Sequence, residues 1–403
     1  MGKLAIYLDA NAGARVHPRV SEALRELLQD PESLGSNPSS IHSHGRKARA
    51  RLVEAKDRIA LSLGASAEDL VFTSSGTEAN QTAIRSAFES SDESHPRPHW
   101  ITTPVEHDCN RQMQGWVRER GGEISFLEVD EAGAPVVSSL AKLVRPETAL
   151  VSCIWVGNET GVISDIASLS RECQRLAIPL HVDAAQAWGK LPIRLEELGA
   201  TYAGFSAHKI GGLAGTGVLY LKRGARLCPL IRGRQEGDRR GGTENLLGII
   251  AAGIAASQID LTREERLSEL RDRLQSLIQN RIEGTLVNGM DGARVGNTLS
   301  LCFDGVETSG MIEALDLEGF AVSSGSACSS GVVGSSVVLL ALGRSPGLAV
   351  AGLRVSLDSE VSWAELEEFT AALEKVVMRF RKTAGRKIGQ NSTHVPADPS
   401  LIH

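Results

Sequence analysis

The feature of this sequence that most constrains its fold is an alternation of helical and strand-like patterns between residues 44 and 260. A helical period over His44–Leu63 places apolar residues on one face. Short apolar runs then recur at Leu70–Thr73, Trp100–Thr103, Ala149–Trp155, Pro179–Val182, Tyr202–Phe205 and Val218–Leu221. Strands alternating with helices favour a mainly parallel sheet covered on both faces, with a ligand site at the carboxyl ends of the strands. The sequence therefore predicts an α/β fold.

The pattern changes after residue 260. A charged helix is predicted over Thr262–Ile282, opened by a capping box of Thr262 and Glu265. Strand-like and helical segments follow at Asn297–Phe303, 309–318, Leu353–Leu357 and Ser362–Phe380. A chain of 403 residues is long enough for two domains, and the charged helix marks a candidate boundary between them.

Composition restricts the class of protein. The net charge is -6 and no block of like charges occurs, so neither nucleic acid nor a membrane surface is an expected partner. The first residues do not resemble a signal peptide. Six cysteines lack metal-ligand spacing, which predicts reduced thiols, no metal site and a cytoplasmic location. Five of them are expected to be small buried hydrophobes, and Cys328 is the exception.

Lys209 and Asp183 are the strongest candidates for chemistry. Lys209 follows a predicted strand in the run Ser206-Ala-His208-Lys209, and Asp183 follows the preceding strand, ahead of Gln186. A lysine whose pKa falls through desolvation or a neighbouring cation can form a Schiff base. The aspartate can keep a pyridinium nitrogen protonated, as pyridoxal phosphate (PLP) requires. A surface lysine is the alternative for Lys209 alone, and the pairing with Asp183 favours the PLP site.

Three further clusters follow predicted strands. Gly76 and Thr77 open a helix, which indicates an anion site or an ordinary helix cap. His107 can stack on a planar cofactor or move protons, or it is a polar loop histidine. Asn158 can hydrogen-bond a phenolic oxygen, or it forms a turn.

Two residues near the C-terminus suggest roles toward a substrate. Cys328 lies in a Ser/Gly-rich stretch, about 323–336, that lacks the apolar period needed to bury it. It is a candidate reactive thiol, and a loop cysteine without function is the alternative. Arg354 lies within a strand pattern and needs an anionic partner, either a substrate carboxylate or a structural salt bridge.

In this order the motifs resemble the cysteine desulfurases, which are fold-type I PLP enzymes of the class V aminotransferase group. The likeness runs from about Tyr7 to Arg381. The motifs that carry it are Ser36-Asn37-Pro-Ser-Ser-Ile-His42, Ser-Gly76-Thr77-Glu, Val-Glu-His107, Gly-Asn158-Glu-Thr-Gly, Val-Asp183-Ala-Ala-Gln186, Ser206-Ala-His208-Lys209, Gly-Gly-Thr243-Glu-Asn and Gly-Ser-Ala-Cys328-Ser-Ser-Gly.

The resemblance implies a role for each of these residues. Lys209 forms the internal aldimine and moves protons, Asp183 pairs with the pyridine nitrogen, Gln186 pairs with the phenolic oxygen, and His107 stacks over the ring. Gly76, Thr77, Ser206 and His208 lie at the phosphate, with Thr243 supplied by the other subunit of a homodimer. Asn37, Asn158 and Arg354 hold the substrate carboxylate. Cys328 attacks the sulfur of L-cysteine, leaving alanine and a persulfide.

The same resemblance implies a large domain over 17–260 built on a mainly parallel seven-stranded sheet. Residues 1–16 and 261–382 would form a smaller α+β domain that carries the Cys328 loop, and 383–403 would be a disordered tail. The sulfur acceptor would serve iron–sulfur cluster assembly or tRNA thiolation. A selenocysteine lyase or another class V enzyme remains an alternative, as does a catalytically weak sulfur-relay partner.

The sequence departs from the family pattern at three places, one of which lies before Thr243, where Gln235-Glu236-Gly237-Asp238 replaces the usual Gln-Glu-Arg-Gly. Residues Gly13 and Ala14 stand where the family usually has two threonines. After Cys328, the run Gly334-Ser-Ser-Val337 replaces the usual Glu-Pro-Ser-His. The chain therefore lacks two hydroxyls beside the expected substrate site and part of the expected loop anchor.

Overall fold

A seven-stranded sheet forms the centre of the part of the chain that the computed structural model describes, which is residues 5–29, 36–89, 98–306, 310–324 and 335–384. Its strand order is β2-β8-β7-β6-β5-β3-β4. The five strands from β7 to β4 run parallel, and β8 runs antiparallel to both of its neighbours. The predicted α/β fold with a mainly parallel sheet is confirmed.

The strands have the following bounds. They are β1 Ile6–Tyr7, β2 Leu70–Thr73, β3 His99–Thr102, β4 Glu123–Phe126, β5 Thr148–Ile154, β6 Leu180–Asp183, β7 Tyr202–Ser206, β8 Gly217–Leu221, β9 Thr285–Asn288, β10 Thr298–Phe303, β11 Phe320–Ala321 and β12 Leu353–Ser356. Short 3-10 turns occur at Ala67–Asp69, Val137–Ser139 and Ala207–Lys209.

The helices connect and cover these strands. They are α1 Pro18–Gln29, α2 Ser43–Leu63, α3 Gly76–Glu89, α4 Asp108–Arg111, α5 Met113–Glu119, α6 Leu140–Leu143, α7 Ile166–Arg175, α8 Leu195–Leu198, α9 Gln235–Asp238, α10 Leu246–Ser257, α11 Thr262–Arg281, α12 Met311–Leu317, α13 Val337–Ala341, α14 Pro346–Val350 and α15 Trp363–Ala384.

The central strands are continuous apolar runs because helices cover both faces of the sheet. Every residue of β2, β3, β6, β7 and β8 is buried. The apolar runs seen in the sequence match these strands to within one residue at each end. The edge strand β4 was not predicted. Its residues are exposed or partly buried, so the sequence Glu-Ile-Ser-Phe carries no apolar run to reveal it.

A second hydrophobic core forms around a three-stranded antiparallel sheet in the order β12-β10-β9. Leu299 and Phe303 of β10 pack there with Phe369 of α15. The N-terminal segment joins this core, because β1 pairs in parallel with β11 and Leu8 is fully buried in the same cluster. The proposed limits of the two domains remain a prediction.

Three local predictions were wrong. The predicted capping box of Thr262 and Glu265 is not seen. The backbone N–H and the hydroxyl of Thr262 both donate to Asp260 Oδ1, and Leu261 precedes α11 without a side-chain cap. The last helix continues to Ala384, two residues into the predicted tail, and the residues after it lie outside the described ones. Cys228 is only partly buried, and its thiol contacts the carboxylate of Glu89.

No single helix among the described residues is long and apolar enough to cross a membrane. The pair α10 and α11 reaches the required length and composition together, but the two helices are bent by 79° at their junction.

Candidate active site

The predicted site residues gather at the carboxyl ends of neighbouring parallel strands. Asp183 is the last residue of β6 and Ser206 is the last residue of β7. Lys209 lies in the 3-10 turn that follows β7, and Asn158 lies in the turn after β5. Because β5, β6 and β7 are adjacent and parallel, these ends meet at one edge of the sheet.

Hydrogen bonds hold both carboxylate oxygens of Asp183. The side chain is buried, Oδ1 accepts from the Ala185 backbone at 3.1 Å, and Oδ2 accepts from Asn110 Nδ2 at 3.3 Å. The same Asn110 nitrogen donates to Glu106 Oε2 at 2.9 Å. A buried amide therefore bridges two buried acidic side chains.

Glu106 is fixed from several directions. Its Oε1 accepts from Thr103 Oγ1 at 3.0 Å and from the Ile154 backbone at 2.8 Å. Burial, with the nearby charge of Asp183 adding to it, raises the pKa of Glu106 to about 7. The sequence analysis missed Glu106 and Asn110. No helical period marked them, because Glu106 precedes the extended N-cap His107 and only Asn110 lies in α4.

His107 lies next to Asp183. Its Nδ1 accepts from the Cys109 backbone at 3.1 Å and so caps α4. Ligand-type atoms of His107, Cys109 and Asp183 lie within 4.8 Å of one another, a grouping that the linear cysteine spacing did not reveal. Burial raises the pKa of the Cys109 thiol, which keeps it protonated.

The expected phosphate-binding residues also lie together. Ser206 Oγ and His208 Nδ1 are 2.9 Å apart. Gly76 begins the 14-residue helix α3 so close to Ser206 that a Cβ at Gly76 would stand 3.2 Å from Ser206 Cβ. Thr77 is exposed in the first helical turn. Burial, and secondarily the charge of Lys209, lowers the pKa of His208 to about 4.

Lys209 is held by the N-terminal segment. Its Nζ donates to the backbone oxygens of Asn11 at 2.5 Å and Ala12 at 3.0 Å. It also lines an open cleft of about 500 Å³ together with Lys190, Arg263 and Glu264. The amine therefore has both backbone acceptors and access to solvent.

Asn11 connects most of these residues, although the sequence analysis assigned it no role. It is buried, and its backbone oxygen also accepts from Gln186 Nε2 at 2.9 Å. Its amide nitrogen donates to Thr298 Oγ1 at 2.9 Å and to the Asn158 backbone oxygen at 3.3 Å. Asn11 thus joins the edge of the large sheet to the second core.

Arg354 forms a structural salt bridge, one of the two interpretations that its sequence left open, and its contact with a substrate carboxylate stays a prediction. Its Nη2 forms a salt bridge with Asp9 Oδ1 at 2.6 Å, and its Nη1 donates to the Asn158 backbone oxygen at 3.0 Å. Its Nε is buried without a hydrogen-bond partner among the described residues. The same holds for the hydroxyl of Ser323, whose backbone pairs with that of Arg354.

The segment that carries Cys328 lies outside the described residues, but its two flanks are at the site. The backbones of Ser323 and Arg354 exchange two hydrogen bonds: the Arg354 N–H donates to the Ser323 oxygen at 2.7 Å, and the Ser323 N–H donates to the Arg354 oxygen at 3.2 Å. On the other side, Ser336 Oγ donates to buried Glu159 Oε2 at 2.6 Å and caps α13. Ser336 therefore anchors the segment despite the sequence departure before Val337.

Two predicted residues do not join the cluster within the described chain. Asn37 is exposed, and its Oδ1 accepts from the Ser39 backbone at 2.8 Å in its own turn. Thr243 is exposed in the loop before α10. Asn158 approaches Arg354 through its backbone oxygen, whereas the prediction relied on its side-chain amide.

The donor set fits PLP. Asp183 offers a carboxylate with both oxygens fixed, Lys209 offers a primary amine, and the start of α3 faces Ser206 and His208 where a phosphate would bind. The absence of a Cβ at Gly76 brings the helix terminus against β7, as an anion held by backbone amides requires.

Comparisons with known proteins identify the family of the chain. Residues 6–369 match the family Aminotransferase class-V. The chain is 37% identical over 384 residues to cysteine desulfurase IscS of Dictyoglomus turgidum, covering 94% of this chain and 96% of the relative. It is 34% identical over 384 residues to cysteine desulfurase NifS of Azotobacter vinelandii, covering 94% of each.

Solved structures show the same likeness. A NifS-like protein superimposes with a TM-score of 0.85 at 30% identity, covering 93% of this chain and all of the other. A structure of SspA in complex with cysteine has a TM-score of 0.76 at 28% identity, covering 87% and 98%.

Proposed function

The chain belongs to the class-V aminotransferases and is a PLP-dependent cysteine desulfurase, and from this premise we propose roles for its individual residues. The observation that carries the proposal is the convergence of Asp183, Lys209 and the Ser206–His208 pair at one sheet edge. It supports Asp183 at the pyridine nitrogen, His107 over the ring, and Gly76, Thr77, Ser206 and His208 at the phosphate.

PLP, when bound, supplies the electron sink that makes the Cα–H and Cβ–S bonds of L-cysteine labile. Lys209 Nζ removes the Cα proton and later returns protons to the substrate carbons. The backbone oxygens of Asn11 and Ala12 hold that amine while it is free of the cofactor. Gln186 would donate to the phenolic oxygen. Arg354, whose Nε has no hydrogen-bond partner among the described residues, would hold the substrate carboxylate. We propose that Asn158 and Asn37 assist it, although Asn37 lies outside the described cluster.

Cys328 is the proposed sulfur acceptor. Its thiolate attacks the substrate sulfur, so that an S–S bond forms as the Cβ–S bond breaks and the Cβ electron pair takes a proton. Alanine leaves, and a persulfide remains on Cys328. Support comes from the described residues that flank the segment, because Ser323 pairs with the Arg354 backbone and Ser336 donates to Glu159.

The enzyme acts on L-cysteine and passes sulfur to an acceptor. We propose that this acceptor serves iron–sulfur cluster assembly or tRNA thiolation, and that the enzyme is a cytoplasmic homodimer. The exposed position of Thr243, away from the described cluster, supports its contact with the PLP phosphate of the other subunit.

Single-turnover formation of alanine from L-cysteine tests the assignment of Cys328. Wild type and Cys328→Ala are compared after both show the visible absorption band of bound PLP. We expect wild type to release one alanine per site and the variant to release none. Cys228→Ala is the matched control, because Cys228 is a partly buried cysteine whose thiol contacts Glu89 and to which no catalytic role is assigned.

Equal alanine release by Cys328→Ala would remove Cys328 from the reaction and leave another PLP-dependent lyase activity. Mass spectrometry of the single-turnover protein gives an independent readout. It is expected to find one added sulfur on Cys328 in wild type and in Cys228→Ala.

A further inference from the structure

A second lysine lies beside Lys209, and the roles proposed above do not use it. Lys190 Nζ donates to Gln186 Oε1 at 2.6 Å and to Asn11 Oδ1 at 2.7 Å. It lines the same cleft as Lys209, and Asn11 bonds both amines. Lys190 thus contacts Asn11, whose backbone oxygen accepts from Lys209, and Gln186, which donates to that same backbone oxygen.

The chemistry of an ammonium decides how these two amides are oriented. An ammonium group only donates hydrogen bonds, so the oxygen of each amide must face Lys190. The amide nitrogen of Gln186 is then turned away from Lys190, and it donates to the Asn11 backbone oxygen at 2.9 Å. One of its two N–H groups makes that bond, and the other is left for a ligand.

Two contacts orient the Gln186 amide: Lys190 donates to Oε1, and the Asn11 backbone oxygen accepts from Nε2. A flipped amide would place its oxygen against the Asn11 backbone oxygen, which already accepts from Lys209, and two acceptors cannot pair. Without Lys190, Oε1 loses its ammonium donor and the Asn11 backbone oxygen alone holds the amide. Lys190 therefore supplies one of the two contacts that keep the donor end of Gln186 in place.

The charged groups near Lys190 come from several elements. Burial is the largest influence on Lys190 and lowers its pKa. The charge of Glu264 on α11 raises this pKa, whereas the charges of Lys209 and Arg354 lower it. Asn11 Oδ1 also accepts from Asn297 Nδ2 at 3.0 Å, so Asn297, which precedes β10, helps to fix the side-chain oxygen to which Lys190 donates.

We propose that Lys190 is a positioning residue of the active site, whose ammonium orients Gln186 so that an N–H donor faces the phenolic oxygen of PLP. This inference rests on the proposed placement of Gln186 at that oxygen. It adds Lys190 as a residue that determines whether the nitrogen or the oxygen of the Gln186 amide faces the cofactor.

A double-mutant cycle on the holoenzyme tests it, with Lys190→Met, Gln186→Leu and the double variant. The readout is the pH midpoint of the visible absorption band of bound PLP, measured without substrate. Loss of a donor leaves more negative charge on the phenolic oxygen of PLP. This charge holds the neighbouring proton more tightly, so the proton is lost only at a higher pH. We expect each single variant to raise the midpoint by about one pH unit, the value of one hydrogen bond to a charged group.

The double variant is expected to show the same shift as either single variant, because both remove the same donor. Lys190→Arg, which can still donate to both oxygens, is expected to restore the wild-type midpoint. Lys142→Met is the control, since Lys142 is an exposed lysine paired with Glu128. If Lys190→Met does not fold, Lys190→Leu, which also has no donor, is judged by the same readout and the same expected shift.

The outcomes separate the two levels of the proposal. A shift with Gln186→Leu but none with Lys190→Met overturns the role of Lys190 and leaves the cofactor site standing. No shift with either variant overturns the placement of Gln186, and the inference falls with it. Additive shifts in the double variant would show that Lys190 acts on the cofactor by another route, which also overturns it.

Discussion

At the scale of single residues, the site depends on side chains that touch neither substrate nor cofactor in the proposed arrangement. Asn110 is the clearest case, because its one amide nitrogen donates to both Glu106 and Asp183. Glu106 is in turn held by Thr103 and by the backbone at the end of β5. The position of the Asp183 carboxylate is therefore set by a network anchored on two different strands.

Replacement of Asn110 by leucine tests this network. Asn110→Leu removes a donor from a buried carboxylate, a contact worth about 1.5–3 kcal/mol. We expect PLP to bind at least about tenfold more weakly, measured by titrating PLP into the apoprotein. Gln112→Leu is the control, because that exposed amide contacts only Asp108 among the described residues. Reduced folding stability with unchanged PLP affinity would argue against a positioning role.

At the scale of elements, α13 connects the segment carrying Cys328 to the site. Ser336 caps this helix by accepting from the Leu339 backbone, and the same hydroxyl donates to buried Glu159. Ser345 caps the next helix, α14, in the same way but has no carboxylate partner among the described residues. Ser336 and Ser345 therefore make the same helix cap and differ in the contact with Glu159, so Ser345 serves as the control for Ser336.

Ser336→Ala is expected to cost about 2 kcal/mol of unfolding free energy. About half is the lost helix cap, and the rest comes from leaving a buried Glu159 oxygen without its donor. Ser345→Ala is expected to cost only about 1 kcal/mol, because only a cap is lost. Urea unfolding of the two variants measures the difference. Equal costs would mean that the contact with Glu159 contributes nothing.

Local patterns predicted most of the elements and only part of the site. Apolar runs identify β2 and β6 because every residue in them is buried, whereas half-exposed β4 has no such run. Asp183 and Lys209 follow strands and could be found in the sequence. Asn11 could not, since its partners Thr298 and Ser356 lie 287 and 345 positions away and only the folded chain brings them together.

At the scale of the whole molecule, buried histidines make stability depend on pH. His181 lies inside β6, where Nε2 contacts Asn80 Oδ1 at 3.1 Å and Nδ1 has no partner among the described residues. Burial lowers the pKa of His181 to about 4, and burial also lowers the pKa of His99 to about 4. The unfolded chain binds these protons below pH 6.5, whereas the folded chain takes them up only near pH 4. Stability contributed by neutral histidine is therefore lost as the pH falls through this range.

The contribution of His181 is measurable by urea unfolding at pH 7.5 and pH 5.0. For this residue alone the linkage amounts to about 2 kcal/mol at pH 5.0. Between pH 7.5 and pH 5.0, we expect the unfolding free energy of His181→Gln to fall by about 2 kcal/mol less than that of wild type. The glutamine can still donate to Asn80. His44→Gln, on α2, is the control. An unchanged pH dependence in His181→Gln would mean that His181 is protonated in the folded protein.

The connections of Asn11 also have a consequence for the order in which the protein is made. Asn11 is synthesised before its partners Lys209, Thr298 and Ser356, the last of which emerges 345 residues later. The central sheet can assemble before that point, because its strands end at Leu221. The contacts of Asn11 can be completed only after Ser356 has left the ribosome, so we expect PLP capture to follow the assembly of the sheet.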